Sequence, residues 1–524
     1  MEKTLRNKVT CLLLSSLLVW TGGCADLTEK PDFINPDSFY QSSKELQLGV
    51  NGIYDDLTKG TSGFDHFYNR YVFECLVGYQ IGWEKGPLQY NLGNINPADE
   101  YIEAYWQANY RSIDRANNII EIADKIQDPA NVELVKRLQA EAQFLRAYYY
   151  FSLVRYFDNV PLKTTATKSY NDLPSNEGGM RAVIDQIYAD CQAAAAVLPA
   201  TYPAADAGRA TKWAAKTLLL KAQLLDEKWA EAKATSEDII QNSGLTLFAD
   251  FSHNFAVAYE NKGERIFEGQ VSFKANNNEN VGHSAHFNPE DYPSQLGGSG
   301  WSWLSVTREF RMAYDEQDKR IDGTFIESYP TGRFGKIDGE YPIVRWSPNA
   351  EFNLSRFGGV VKADANPRNP AEMIFSKGWC AKWVELGVPN SNTEKNIVYL
   401  RLADVLLGHA EACNESGQGD PLSGLNAVRD RAGLAPLQAM DKDAMRDAIV
   451  AERVKEFAFE QELYPELRRK STFGGRPDYL GDFIRDYSSR YNMGRQVKAR
   501  DYVLPIPLKE LQGNPNVKQN PVWQ

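Results

Sequence analysis

Two tryptophans, Trp301 and Trp303, stand two residues apart in the run Gly297-Gly298-Ser299-Gly300-Trp301-Ser302-Trp303. In an extended segment, residues i and i+2 share a face, so both indoles are expected to point the same way. A flat ring with a polar edge nearby suits a sugar, whose C–H face is apolar and whose hydroxyls need hydrogen bonds. Trp83, in Gly82-Trp83-Glu84-Lys85-Gly86-Pro87, has a comparable turn-like setting. Tyr292 and Trp346 are weaker members of the same set, and Trp379 and Trp383 are further rings of the same stretch. Asn91, Gln295 and Arg308 are the polar groups expected to meet hydroxyls. Trp83 comes from the N-terminal loops and the others from the middle of the chain, so the fold must bring them together.

The remaining chemistry is carried by charge. Arg115, Asn117, Glu141, Arg146, Arg401, Asp404, Glu411, Arg429, Arg431, Glu452, Arg453 and Glu460 lie on or beside apolar helical stripes. A charge in that position must be paired, because an unpaired buried charge is very costly. A lattice of buried Arg–carboxylate pairs fixing helix register is therefore expected. Glycoside hydrolysis needs two acids facing one cleft, but acids matched with Arg stay ionised and make poor general acids. His283 and His286 form an H-x-x-H in an Asn-rich loop, without the long helix that normally aims both rings at a metal. His409 shares the stripe of Leu402, Leu406 and Cys413 and reads as a hydrogen-bonded core residue. There is no G-x-S-x-G, P-loop or glycine-rich dinucleotide turn. No catalytic residue, metal or cofactor is assigned.

The elements that must position these residues are mostly helical. Apolar residues recur at spacings of three and four over 45–58, 101–126, 133–157 and 181–198. Segments 211–225 and 228–242 form a helix pair with a very short join, so they should be antiparallel neighbours. With Ala215, Ala222 and Ala232 at the close contacts, such pairs resemble tetratricopeptide-type repeats. From about 243 to 397 helical periodicity fades and Asn, Gly, Pro and aromatics rise, as in a functional loop-rich insertion. Helices return over 398–414, 421–432 and 442–460. The segment from about 500 to 524 is rich in Pro and is expected to run extended over the surface.

Composition sets the class. The 524 residues carry 58 Lys+Arg against 69 Asp+Glu, a formal charge of −11, which argues against a nucleic-acid partner. Charged residues at 24% and hydrophobic ones at 43% describe a globular chain. No apolar run is long enough to span a bilayer. Lys3, Arg6 and Lys8, a short apolar stretch and Thr21-Gly22-Gly23-Cys24 read as a secretory signal over 1–23, with Cys24 in the position of a lipoprotein's acylated residue. Residues 24–40 then form an acidic tether, and 41–524 a single domain. Cys75, Cys191, Cys380 and Cys413 match no metal spacing, and buried free thiols are expected for Cys191 and Cys413.

Several segments align in order with one family: Asn51-Gly52-Ile53-Tyr54; Arg115-Ala116-Asn117-Asn118; Ala140-Glu141-Ala142-Gln143-Phe144-Leu145-Arg146-Ala147-Tyr148-Tyr149; Tyr399-Leu400-Arg401-Leu402-Ala403-Asp404; Leu425-Asn426-Ala427-Val428-Arg429; Glu456-Phe457-Ala458-Phe459-Glu460; and Leu504-Pro505-Ile506-Pro507. The chain resembles the SusD/RagB family of Bacteroidota outer-membrane lipoproteins. Where that family has Gly and basic or aromatic residues before an Asp-Leu-Arg-Arg, this chain has Gln461-Glu462-Leu463-Tyr464-Pro465-Glu466-Leu467-Arg468-Arg469. The resemblance implies a mainly α fold of tetratricopeptide-like pairs with a loop-rich elaboration carrying the ligand site. It implies binding of an oligosaccharide or polysaccharide at the cell surface, and delivery to a SusC-like TonB-dependent transporter. A peptide ligand, as in RagB-like receptors, is the alternative among binders; a surface glycoside hydrolase is the alternative by class.

Overall fold

A computed structural model of the chain describes residues 39–58, 66–82, 85–272, 283–297, 300–350, 365–376, 378–385, 388, 393–472, 478–488 and 495–524. The signal, Cys24 and nearly all of the tether lie outside the described residues.

The N-terminal helices are α1 (Ser43–Thr58), α2 (His66–Glu74), α3 (Lys85–Asn91), α4 (Glu100–Ala123), α5 (Val132–Phe157), α6 (Gly179–Val197), α7 (Lys212–Leu225) and α8 (Trp229–Asn242). The middle of the chain holds the short helices α9 (His283–Phe287), α10 (Arg308–Met312) and α11 (Ile321–Thr324). The later helices are α12 (Leu402–Ser416), α13 (Pro421–Arg431), α14 (Lys442–Glu456), α15 (Leu463–Thr472), α16 (Tyr479–Ser488) and α17 (Leu508–Gly513). Strands are few and short: β1 (Gln80–Gly82), β2 (Arg265–Gly269), β3 (Leu304–Val306), β4 (Ser328–Pro330), β5 (Ile343–Trp346), β6 (Ile374–Phe375) and β7 (Ile397–Arg401). The fold is mainly α, with tetratricopeptide-like helix pairs.

Side-chain caps fix several helix starts. Asp99 accepts from the backbone N–H groups of Tyr101 and Ile102, Thr211 from Ala214, and Asp441 from Asp443 and Ala444. Each helix packs on its successor: α4 on α5, α5 on α6, α6 on α7, and α7 on α8. The row then continues from α8 directly to α12, and from α12 to α13 and α14. The loop-rich segment thus leaves after one layer of the row and returns at the next. It comes back through β7, which pairs antiparallel with β2. α5 lies between α4 and α6 and beneath α1, and all but one of its residues from Ala140 to Phe157 are buried.

Charges on these buried faces are paired. Arg146 holds Asp190 through two nitrogens at 2.7 and 2.8 Å and also donates to Asn117. Glu141 takes Arg209 at 2.9 Å, and the buried Asp56 takes Arg115, which is itself 43% exposed and not a buried partner, at 2.7 Å. Glu456, fully buried at the end of α14, faces Arg320, Arg401 and Arg431. Arg401 reaches on to Glu460, Glu460 to Lys382, and Arg429 and Arg320 both hold Glu452. A second cluster runs through Lys221, Asp404, Arg453, Glu466, Arg469 and Glu411. Glu462, in the stretch that departs from the family pattern, joins it by binding Lys221, Arg155 and Arg70.

Three expectations are corrected. The helix placed over 398–414 begins only at Leu402, because Ile397, Val398 and Tyr399 form a β-branched and aromatic run that pairs with β2. The helix placed over 442–460 ends at Glu456; Phe459 and Gln461 take φ of +64° and +62°, and the turn they make carries Glu460 and Glu462 back into the core. The C-terminal segment does not run over the surface throughout. Leu504 and Ile506 are fully buried, Leu504 donates its N–H to the Tyr156 carbonyl at 2.9 Å, and α17 follows. All four cysteines past Cys24 are buried and free.

Candidate functional site

The Trp301–Trp303 segment is shaped by the loop against which it lies. Trp301 donates its backbone N–H to the Ala285 carbonyl at 2.7 Å, and Ser302 donates its own to Asn288 at 3.2 Å. The Ser302 hydroxyl accepts from the Glu290 N–H at 2.7 Å. Gly300 is required there: a Cβ on it would stand 2.2 Å from the Asn288 carbonyl oxygen. Beyond Trp303 the chain enters β3, whose Leu304 and Val306 pair with Gly82 and Gln80 of β1. The N-terminal stretch that includes Gly82 is thereby tied to the tryptophan segment. Trp83, the next residue in sequence, lies outside the described residues.

The two indoles differ from the expected flat pair. Ser302 has φ +52°, so the segment is not extended, and the rings meet through a turn. Their centroids are 4.8 Å apart at 38°, too close for rings lying side by side in one plane. Trp301 is 44% exposed, and Trp303 is half-buried and packs against the core. The His286 ring meets both edge-on, at 5.2 and 4.7 Å. The face open to solvent is therefore mainly that of Trp301, with Trp303 and His286 packed against it. In the sequence His286 stands only as half of an H-x-x-H; its contact with the two indoles has no signal beyond its closeness in the chain. The His283 side chain lies outside the described residues.

Next to this pair, through the Glu290–Ser302 bond, lies an open depression of about 570 Å³ lined by Tyr292, Gln295, Glu290, Asp291 and Arg333. Tyr292 is buried to 8% exposure, while Gln295 is exposed and accepts from the Tyr341 hydroxyl at 2.9 Å. Asp291 is clasped by the hydroxyls of Tyr329 and Thr331 at 3.0 and 2.8 Å. Burial pushes its pKa up, and the two hydroxyls oppose that shift. Arg333 and Tyr341 carry no signal in the sequence, where they look like ordinary polar loop residues.

The other expected members are engaged by partners of their own. Trp346 lies on the Arg311 guanidinium, 4.4 Å from its ring centre, and Arg311 is held by Glu327. Arg308 donates to the Pro348 carbonyl at 3.2 Å and pairs with Glu309. Asn91 is 2% exposed beside Cys75, whose thiol it touches, so its side chain faces the core. Trp379 and Trp383 are buried; Trp383 donates to the Phe459 carbonyl at 2.6 Å and packs edge-on against Tyr71 and Phe255. His409 is a buried helix residue next to Cys413 and Glu237, and burial pushes its pKa down. Among the described residues no group of three or more His, Cys, Asp and Glu is placed to hold a metal ion.

Comparison with known proteins gives consistent findings over most of the length. A profile described as SusD family matches residues 263–523, and one described as starch-binding associating with outer membrane matches residues 36–224. A SusD-like protein P2 from Formosa agariphila is 26% identical, over 98% of this chain and 99% of that one. The crystal structure of a SusD superfamily protein from Parabacteroides distasonis superposes with a TM-score of 0.74 at 23% identity, covering 91% of this chain and 98% of that one. The surface glycan-binding protein A from Bacteroides uniformis superposes with a TM-score of 0.72 at 22% identity, covering 92% of this chain and all of that one.

Proposed function

The chain belongs to the SusD/RagB family, and from that premise we propose that it binds a glycan at the cell surface, with Trp301 as the ring that the sugar stacks on. The observation that carries this reading is the exposed Trp301 ring, backed by Trp303 and His286, beside a polar depression. An indole of that size left open to water costs hydration free energy, and a sugar C–H face recovers it. Tyr292, Gln295, Glu290 and Asp291 stand where hydroxyls beside the stacked ring need partners. Resemblance to a surface glycan-binding protein supports the same ligand class. Trp83 is retained as a member of the site on its sequence setting alone.

The protein acts by binding and performs no chemistry. It is anchored through acylated Cys24 to the outer membrane, faces outward, and passes its ligand to a SusC-like TonB-dependent transporter. A complex of that kind is expected to bury well above the ~1,600 Å² of a standard interface.

Affinity electrophoresis of the mature protein through gels containing starch, laminarin, xylan or mannan tests the ligand class. Retardation by one polysaccharide, with no shortening of the chains after incubation, is the expected result. Chain shortening would mark an enzyme, and no retardation by any glycan together with retention of peptides would favour the peptide reading. Membrane fractionation of Cys24→Ala, expected to release the protein, tests the anchor. Copurification of a barrel protein from mild detergent extracts tests the transporter.

A further inference from the structure

A second site is suggested at the seam where the helical row meets β2, built from elements that the Trp301 segment does not use. A cavity of about 290 Å³ is enclosed there by Tyr202, Trp213, Leu245, Arg265, Phe267 and Glu268. A second hollow of the same size lies on the other side of Gly208, bounded by Tyr54, Arg209 and Gln270. The two are divided where Gln270 crosses the Gly208 backbone. Gly208 has φ +88°, and a Cβ on it would stand 2.3 Å from the Gln270 amide carbon. Gln270 is held across that position by a reciprocal pair with Asn261, at 2.9 and 3.0 Å.

The lining specifies a ligand class. The volume is near the lower limit of ~300 Å³ for small-molecule sites, so the cavity admits one ring and not a chain. Trp213 and Phe267 offer buried aromatic walls, which suit apolar C–H faces. Asn261 and Glu268 add planar polar groups that can take adjacent hydroxyls. The buried charges are balanced. Arg265 is paired with Glu268 at 3.0 Å, and Arg209 with Glu141 and Asp206 at 2.9 Å each. Lys262, the other cation of the lining, is exposed to solvent and donates to the Ala258 carbonyl at 3.0 Å, so a charged ligand would find no uncompensated partner among the buried groups.

We propose that this cavity binds a single neutral sugar ring, independently of the Trp301 site. The Asn261–Gln270 pair is its strap, and part of the pair's hydrogen bonding passes to the ligand on binding.

The test is saturation-transfer-difference NMR on the mature protein with glucose, galactose, mannose and xylose at millimolar concentrations. It compares wild type, the double variant Trp301→Ala/Trp303→Ala, and two cavity variants. Leu245→Trp fills the space; Asn261→Gly keeps the left-handed backbone of a residue with φ +55° and removes its side chain. At least one sugar is expected to bind wild type and the double tryptophan variant alike, to bind Asn261→Gly about tenfold more weakly, and to be lost from Leu245→Trp. If Leu245→Trp does not fold, Asn261→Gly decides alone. Saturation transfer from none of these sugars, or a signal that the tryptophan variant loses and the cavity variants keep, would overturn the proposal. The second outcome would leave the surface site intact as a reading.

Discussion

Glu456 and Trp301 stand at opposite extremes of the same molecule. Glu456 has no exposed surface and meets three guanidinium groups; Trp301 is 44% exposed and, among the described residues, meets the rings of Trp303 and His286. The residues around Glu456 are charged, yet their charge is fully committed inside the fold. Those around Trp301 are mostly uncharged, yet they leave an aromatic face open. Chemical reactivity in the amino-acid type is thus a poor guide to function here. Charge density marks the scaffold, and unspent apolar surface marks the site proposed for the ligand.

Breaking the charged region should have the largest effect. Glu456→Ala leaves Arg320, Arg401 and Arg431 each short of a partner in a buried site. Removing one partner of a buried pair typically costs ~3–5 kcal/mol, and this substitution should reach or exceed the upper value. The expected outcome in denaturant titration is a chain that is largely unfolded without denaturant; a wild-type midpoint would show that the guanidinium groups find other acceptors. Arg146→Ala strands Asp190 and should cost ~3–5 kcal/mol, read as a lowered melting temperature. An unchanged melting temperature with lost glycan binding would move Arg146 from the scaffold to the site.

Acid sharpens the same contrast without mutation. Burial alone would raise the pKa of Asp404 and Glu411, but Lys221 and Arg453 beside the first, and Arg469 and Lys470 beside the second, hold both down to about 2. Unfolded carboxyls titrate near ~4, so below that pH the unfolded state takes up protons that the folded state refuses. The stabilisation is complete above pH ~4 and is lost as pH falls toward ~2. Thermal unfolding across that window should show a steady drop in melting temperature, and a flat profile would contradict it. The smallest effect is expected at the surface. Lys509 pairs with Glu103 at 2.7 Å but is 73% exposed, and Lys509→Ala should leave the unfolding curve within ~0.5 kcal/mol of wild type.

The helical scaffold was legible because its signal is periodic. The stripes over 101–126 and 133–157 locate α4 and α5 to within a turn, and the matched acids and arginines correctly announce buried pairing. What failed was local. The bounds of α15 have no periodic signal in the sequence; Pro465 is tolerated because it lies in the first turn of the helix, where no intrahelical N–H is needed. Val398 to Arg401 read as the start of a helix because they run into the stripe of α12 without interruption, yet they belong to β7. The site was less legible, since loops carry no period. The Trp301–Trp303 pair could be picked out by its glycine-rich context, whereas its tilt depends on a left-handed Ser302 and a close approach to Asn288 that no spacing rule announces. Asn91, Trp379 and Trp383 look alike to the exposed candidates in sequence and differ from them only in being buried.

The claim that unspent aromatic surface is the ligand site is tested most directly by calorimetry on Trp301→Ala. The titrant is the polysaccharide that retards the wild-type protein, and the variant is first shown to unfold at the wild-type temperature. Truncating an aromatic at a binding hot spot typically costs ~2–4 kcal/mol, so affinity should fall roughly 30- to 1,000-fold. Trp303→Ala, which removes the ring behind it, should weaken binding less. Wild-type affinity in a correctly folded Trp301→Ala protein would contradict the account and assign this exposed ring to another surface, such as contact with the transporter.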